Sequence, residues 1–491
     1  MKTRAWYNNW QQCPDRFYRH VTPTPLDSAY FIHCNKLVAQ SLGLDVDTVM
    51  SQTSLACFNG ETVFPQLRPI ATAYAGHQFG IYTATLGDGR TILLGQIEAT
   101  DGQCNDLQVK GAGLTPYSRV MNGRYALAEA IREYLASAAL KALGVPSAMG
   151  LCLIGSKTTL DENGTTAALL VRVATTHIRF GHFEYYYHRD DIDGLTRLFN
   201  FVVDQYFPEL LKQTVRDRPL MFLEIVIVRT AKLIAQWQSL GFTHGVMNTD
   251  NMAISGDTLD LGPYGFITNY DPRFSPNTSD EFGRYQFDQQ ADIGRWNCLA
   301  LAQALTPLLP KPVVPANLLR LFRQTYQQHY LALMRAKLGL QQNEHHDAEL
   351  ISALLAIISQ TRCDYSNFFI DLSQFSAAPN DDNQSLFETG QHRALLENWL
   401  QHYRARLGRE SQSELHRQAM MKAVNPQVIL REDMLSSVIK AANNGDFSEL
   451  INVMHQLQNP FRYHQADLEQ QPGQAVAMGS AVFQKSNEVM M

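Results

Sequence analysis

The sequence predicts an α+β protein built as two lobes, with an N-terminal extension and a helical C-terminal extension. Three observations point to this. Residues 79–173 read as three short strands, one helix and two further strands. From Leu195 onward the apolar spacing is helical. Between the helices lies an Asx-rich loop, His244-Gly-Val-Met-Asn-Thr-Asp-Asn251, followed by Asp260-Leu261-Gly262. The expected boundaries are an extension over 1–68, a strand-rich lobe over 69–180, a helical lobe over 181–400, and a helical extension with a flexible tail over 401–491.

Residues 1–69 are irregular, punctuated by Pro14, Pro23, Pro25, Pro65 and Pro69, with Leu26–Leu44 partly helical. They are expected to pack against a core formed later in the chain. Phe79–Thr85 reads as the first strand, Thr91–Ile97 as the second and Asp106–Lys110 as the third. The turn Gly87-Asp88-Gly89-Arg90 separates the first two. Glycines there let backbone N–H groups approach a phosphate, and Arg90 adds a guanidinium donor. A plain hairpin is the commoner use of Gly-Asp-Gly. Lys110 ends the third strand, where a lone Lys is normally solvated. Asn122-Gly123 marks a second turn. Ala126–Leu143 is a helix, with Leu127, Ile131, Leu135 and Ala138 at helical spacing and Gly144 and Pro146 ending it. Glu133 lies off that stripe; it is either a solvated residue or the partner of Lys110. Met149–Ser156 and Ala167–Val173 form a hairpin across Asp161-Glu-Asn-Gly164. Arg172 and Arg179 follow near the lobe junction. They either grip a polyphosphate or serve as an outward strand residue and a junction salt bridge.

Leu195–Leu211 and Met221–Leu240 are helical, the second stopping at Gly241. Met252–Ile254 and Thr258–Leu261 read as a short hairpin that returns Asp260 beside Asp250 and Asn251. Two carboxylates and an amide oxygen at one point suit Mg²⁺ or Mn²⁺, whereas the same residues in a plain Asx turn would only cap backbone groups. Gly262–Gln290 is a long loop of the kind that binds substrates. Ala291–Leu305 and the segments from Pro307 to about Gln458 are helical. His464–Met491 is poor in large apolar residues and is expected to be partly disordered.

Composition narrows the function. With 491 residues, 45% apolar and 18% charged, the chain can bury large cores. A formal charge of −6 argues against non-specific nucleic-acid binding. No apolar run reaches membrane-spanning length and no secretory h-region is visible, so no membrane partner is expected. Seven scattered cysteines without C-x-x-C spacing read as reduced thiols of a cytoplasmic protein.

The strand–helix order and the central loop resemble a protein-kinase-like fold. With His244 and Asn251 aligned to the kinase catalytic loop, Val246 falls where the catalytic Asp belongs, and Asp250 is the loop's carboxylate. Asp260-Leu261-Gly262 matches the Asp-Phe-Gly magnesium motif. Longer matches go further. Asp106-Leu-Gln-Val-Lys-Gly-Ala-Gly-Leu-Thr-Pro-Tyr-Ser-Arg119, Ile131-Arg-Glu-Tyr-Leu-Ala-Ser137, Arg172-Val-Ala-Thr-Thr-His-Ile-Arg-Phe-Gly181 and the 244–251 loop together resemble the selenoprotein O family of protein adenylyltransferases. The resemblance implies ATP bound in an inverted orientation, AMP transfer to Ser, Thr or Tyr hydroxyls of proteins, and release of pyrophosphate. It implies that Lys110, held by Glu133, acts with Arg172 and Arg179 on the phosphates. Gly87, Gly89, Arg90, Asn122 and Gly123 would contact the nucleotide, as would Asp260. Asn251 and Asp260 would hold Mg²⁺ or Mn²⁺, and Asp250 would accept the hydroxyl proton. Similar enzymes are also ascribed UMP transfer from UTP. An ordinary phosphotransferase and a non-catalytic pseudokinase scaffold are the rival readings.

Departures from the family carry an expectation of their own. Asn122 stands where the family has Asp, which alters one nucleotide contact. No Cys lies in Gly262–Gln290, where Pro276 occupies the equivalent place, and none follows Cys363. Both partners of the family's regulatory disulfide are therefore missing. Dithiothreitol is expected to leave the activity of this chain unchanged; a large change on its addition would contradict that.

Overall fold

A computed structural model describes residues 6–63, 67–119, 122–310, 314–378 and 393–461. The tail over 464–491, expected to be disordered, and Pro65 lie outside the described residues. In chain order the elements begin with strands β1 (Trp6–Tyr7), β2 (Tyr18–His20) and β3 (Tyr30–Cys34), then helices α1 (Lys36–Ser41), α2 (Val46–Val49) and α3 (Gln52–Phe58). Strand β4 (Ile70–Thr72), a small pair β5 (Gly76–Gln78) and β6 (Ile81–Thr83), and the longer β7 (Thr91–Glu98) and β8 (Cys104–Lys110) follow. Helix α4 (Leu127–Ala142) then leads to β9 (Met149–Thr159) and β10 (Thr166–Ala174).

Together these form an eight-stranded antiparallel sheet in the order β2-β4-β7-β8-β10-β9-β3, with β1 also paired to β7. The architecture is thus α+β, as expected, but the make-up of the sheet departs from expectation. Phe79–Thr85 is not a strand of this sheet. The chain reverses at Phe79 (φ 52°) and Gly80 (φ 83°), so β5 and β6 pair as a separate hairpin. The main sheet instead gains β1, β2 and β3 from the stretch read as irregular. Those strands are two to five residues long, and their partners lie far along the chain, so local alternation gives no sign of them.

Period-two alternation gives the sheet one apolar and one chemical face. Leu107 and Val109 of β8, with Leu169, Val171 and Val173 of β10, pack into an apolar core covered by Val38, Val49 and Phe58 of the N-terminal helices. The intervening residues Asp106, Gln108 and Lys110, and Arg172 of β10, therefore face the other way, toward α4. Register sets Arg172 directly opposite Gln108.

The rest is helical. After α5 (Phe180–Tyr187) and α6 (Ile192–Tyr206) comes α7 (Arg218–Leu240), with Pro219 in its first turn and Gly241 as a left-handed C-cap. Phe222, Leu223, Val226 and Ile227 of α7 are fully buried in the core shared with α4. Each contributes roughly 1.5–3 kcal/mol of burial, so α7 is the frame on which the loop after it is hung. Short strands β11 (Phe242–Thr243) and β12 (Gly265–Phe266) pair across that loop. Helices α8 (Gln290–Ala304), α9 (Pro315–Lys337), α10 (Asp347–Thr361), α11 (Tyr365–Leu372), α12 (Arg393–Leu407), α13 (Glu414–Lys422), α14 (Glu432–Asn443) and α15 (Ser448–Leu457) complete the chain. Residues of α9 to α13 build a separate apolar core, while α14 and α15 pack into the core around α4. The hairpin expected over Met252–Leu261 is only a set of isolated bridges: Met252 to Thr258, Ala253 to Arg179 and Thr258 to Ser147. One bridge closes the loop on itself, and the other two tie it to the start of α5 and to the segment before β9. No helix among the described residues is long and apolar enough to cross a membrane.

Candidate active site

On the chemical face of the sheet, β8, α4, β10, the N-cap of α5 and the loop after α7 deliver five charged side chains to one place. Lys110 Nζ donates to Glu133 Oε2 at 2.7 Å and to Asp260 Oδ1 at 3.1 Å. Arg172 Nη1 donates to Glu133 Oε1 at 2.8 Å and Asp260 Oδ1 at 2.7 Å, while its Nη2 reaches Gln108 Oε1 at 2.6 Å. Arg179 Nη1 donates to Asp260 Oδ2 and, at 2.7 Å, to the backbone carbonyl of Asp250. Lys110, Glu133, Arg172 and Arg179 are all at most 4% exposed, so the solvated alternatives for Lys110 and Glu133 and the outward one for Arg172 do not hold, while Arg179 does form a salt bridge, with Asp260. Asp260 has a left-handed backbone (φ 53°), a conformation an Asp tolerates better than most side chains.

The cluster fixes its own charge states. Burial raises the Glu133 carboxyl, but Lys110 and Arg172 more than offset it and bring it down to about 2. Burial is likewise outweighed at Asp260, where Arg179, Lys110 and Arg172 hold the carboxyl well below the usual range. Desolvation lowers Lys110, opposed by the same two carboxylates. Three cations face two carboxylates here, and Nε of both Arg172 and Arg179 is buried without a hydrogen-bond partner among the described residues. Buried donors left unpaired in this way suit an anionic ligand.

Asp250 adjoins this cluster through Arg179 Nη1, which its backbone carbonyl shares with Asp260. Its Oδ2 accepts from Gln78 Nε2 at 3.2 Å, and its Oδ1 is buried with no partner among the described residues. Burial pushes this carboxyl up to about 6, with Arg179 and Gln78 pulling against it. His244 anchors the loop below: its Nε2 lies 2.9 Å from the Leu259 carbonyl and its ring packs on Trp237. Gly245 makes the turn at φ 78°, and a Cβ there would lie 2.0 Å from the Pro263 carbonyl oxygen. Gly245→Ala is therefore expected to lower the melting temperature, costing roughly 1–3 kcal/mol for the backbone alone. Gly262→Ala, whose Cβ meets nothing within 4 Å, is the control and should melt as wild type.

Among the described residues no group of three or more His, Cys, Asp or Glu is arranged to hold a metal. Asn251 donates from Nδ2 to the Val246 carbonyl at 2.9 Å, and among the described residues no hydrogen bond reaches its Oδ1. Among the described residues Asp260 Oδ2 accepts from Arg179 alone and keeps a lone pair. One ionised carboxylate and one amide oxygen fit a hard cation that takes its other ligands from phosphates and water.

The remaining residues predicted from sequence lie around this cluster without joining its ion pairs. Arg90 stacks over Tyr125, 4.5 Å from the ring centroid, and its Nη1 is 3.3 Å from Glu129. Gly87 and Gly89 pack against Tyr117. Asn122 Oδ1 accepts from the Arg124 amide at 2.9 Å, and the Gly123 carbonyl accepts from the Gly113 amide just beyond Lys110. Sequence reasoning missed Tyr125, whose hydroxyl donates to Glu133 Oε2 at 2.6 Å and whose ring lies under Lys110 Nζ. It also missed Gln78 and the buried Glu184. The only sequence signal was polar His77-Gln78 set between glycines 76 and 80.

Comparison with known proteins identifies the family. The family profile described as "Protein adenylyltransferase SelO" matches residues 2–458. The protein nucleotidyltransferase YdiU of Vibrio vulnificus (strain CMCP6) is 41% identical over 468 residues, covering 94% of each chain. That of Enterobacter sp. (strain 638) is 39% identical over 474 residues, covering 96% of this chain and 97% of its own. The chain belongs to the protein adenylyltransferase SelO family.

Proposed function

We propose that this protein nucleotidyltransferase transfers AMP from ATP to Ser, Thr or Tyr hydroxyls of other proteins, releasing pyrophosphate. The observation that carries the reading is that two kinds of group meet at Arg179. Three buried cations, Lys110, Arg172 and Arg179 itself, converge on Asp260, and both guanidinium groups have an Nε–H unpaired among the described residues. Arg179 also binds the backbone carbonyl of Asp250, whose side chain holds a buried carboxylate oxygen with no partner among the described residues.

In this reading the β- and γ-phosphates lie against Lys110, Arg172 and Arg179, with Glu133 keeping Lys110 in place. The α-phosphorus then faces outward toward Asp250. The acceptor hydroxyl oxygen bonds to that phosphorus, its proton passes to Asp250, and the bond from the α-phosphorus to the bridging oxygen breaks. Pyrophosphate leaves with its charge matched by the three cations. Arg90, Gly87, Gly89, Asn122 and Gly123 close over the nucleotide. Asn251 and Asp260 would hold Mg²⁺ or Mn²⁺, which when bound supplies charge stabilisation at the phosphates.

We read the whole as a kinase-like pair of lobes, 69–180 and 181–400, with extensions at 1–68 and 401–491. Support comes from the Lys110–Glu133 pair joining strand to helix and from Asp260 after the loop, both in kinase-like order. The setting we infer is cytoplasmic, with ATP and hydroxyl-bearing proteins as partners and neither nucleic acid nor membrane.

Intact-mass analysis of an acceptor protein incubated with ATP or with UTP tests the proposal. A gain of one AMP group, with ATP preferred, is expected. A gain of one phosphoryl group would overturn it, and a preference for UMP transfer would correct the choice of base.

A further inference from the structure

We propose that the hairpin β5–β6 is the positioning element of the catalytic loop, and that Gln78 orients the Asp250 carboxylate toward the acceptor hydroxyl. The inference rests on the reading of Asp250 as the proton acceptor. Three consecutive hairpin residues bind three of the loop's residues. The His77 amide donates to Thr249 Oγ1 at 2.7 Å, Gln78 Nε2 to Asp250 Oδ2 at 3.2 Å, and the Phe79 amide to Asn248 Oδ1 at 3.2 Å. The pairing is one-to-one: His77 with Thr249, Gln78 with Asp250 and Phe79 with Asn248. It therefore holds the loop as a template does, without being part of either sheet ladder.

The contact is also close. A Cβ on Gly76 would lie 2.9 Å from both Cβ and Oδ1 of Asp250, so only glycine lets the hairpin backbone come this near. A buried bracket fixes the far side. Glu184 of α5 is fully buried; its Oε1 lies 2.5 Å from His77 Nδ1, and its Oε2 accepts from the Thr249 hydroxyl. One carboxylate thus ties hairpin and loop to each other. At the tip the Tyr285 hydroxyl donates to Asn248 Oδ1, 2.5 Å away, and accepts from the Phe79 amide at 2.9 Å. The left-handed Phe79, an unfavourable conformation for an aromatic residue, is held by these contacts.

Within this frame Gln78 supplies the one side-chain hydrogen bond to the Asp250 carboxylate among the described residues. Its amide occupies Oδ2 and leaves Oδ1 for the hydroxyl. Gln78 does not touch a reacting atom; it acts through Asp250. A carboxylate free to rotate would spend most of its time in unproductive orientations. Misplacement on the scale of an ångström costs on the order of 10²-fold in rate.

The test compares Gln78→Met and Gln78→Glu with Asp250→Asn in the full-length protein. Both Gln78 variants keep the side chain's length and remove the donor. For each, kcat and KM for ATP are measured with a saturating acceptor, together with the melting temperature. The proposal expects kcat to fall by roughly 10²-fold in both Gln78 variants, with KM for ATP and melting temperature unchanged. Wild-type kcat in Gln78→Met beside an inactive Asp250→Asn would overturn this inference and leave the function standing. A fall in kcat matched by lost ATP affinity and lower melting temperature would overturn it as well, showing a structural role. Full activity in Asp250→Asn would remove the reading beneath it.

Discussion

Replacing Asp250 with asparagine is expected to lower the rate of nucleotidyl transfer by roughly 10²–10⁴-fold, the range that removal of a positioned proton acceptor produces. Asparagine keeps the shape and the hydrogen bond from Gln78 but cannot take a proton. The same substitution is expected to leave the melting temperature no lower than wild type. Burial already raises this carboxyl to about 6, and one of its oxygens has no partner, so the native charge is held against a desolvation cost. A neutral amide relieves that cost. Loss of activity without loss of stability is the combined signature. Initial rates at saturating ATP and a thermal melt on the same preparation check it, and retention of activity would remove Asp250 from the mechanism.

Glu133→Ala is expected to have the largest effect on stability. Glu133 is the carboxylate shared by Lys110, Arg172 and the Tyr125 hydroxyl. Removing it leaves three donors in a buried site, and breaking a buried ion pair from one side costs roughly 3–5 kcal/mol. Glu133→Gln keeps an acceptor and should cost less. The pH dependence follows from the sign of the shift. The folded carboxyl is depressed to about 2. Its contribution is therefore present above the ordinary glutamate range and is lost as pH falls from there toward about 2. Urea titrations of wild type and Glu133→Gln at neutral and acid pH should show the gap between them narrowing as pH falls. A gap independent of pH would contradict the assigned ion pairs.

Much of this site can be read from the sequence because its residues sit on regular elements or in long motifs. Lys110 at the end of a strand, Glu133 on the next helix and Arg172 on the last strand of the hairpin are brought together by strand register and by one helix packing on one sheet. What the sequence does not display is how deep they lie. Glu133 is off the apolar stripe of its helix and looks solvated, yet it is buried because its partners are cations on the facing sheet. The N-terminal strands are too short for alternation to show, and their pairing is set by edges of a sheet built from later residues. The reversal at Phe79-Gly80 is invisible for a different reason. Phenylalanine does not favour a left-handed turn, and it adopts one here because Asn248 and Tyr285, about 170 and 206 residues away, bind its amide. The isolated bridges around Met252 and Thr258 are likewise decided by neighbours, Ser147 and Arg179, that no local window contains.

The account depends on which end of the nucleotide meets the acceptor, and a labelling experiment reads that directly. Protein and acceptor are incubated with ATP labelled at the α-phosphate or, in parallel, at the γ-phosphate. Label is expected on the acceptor from the α-position only, with the γ-label leaving as pyrophosphate and with transfer abolished in Asp250→Asn. Acceptor labelled from the γ-position would mean that the terminal phosphate faces outward, contrary to the role assigned to Lys110, Arg172 and Arg179.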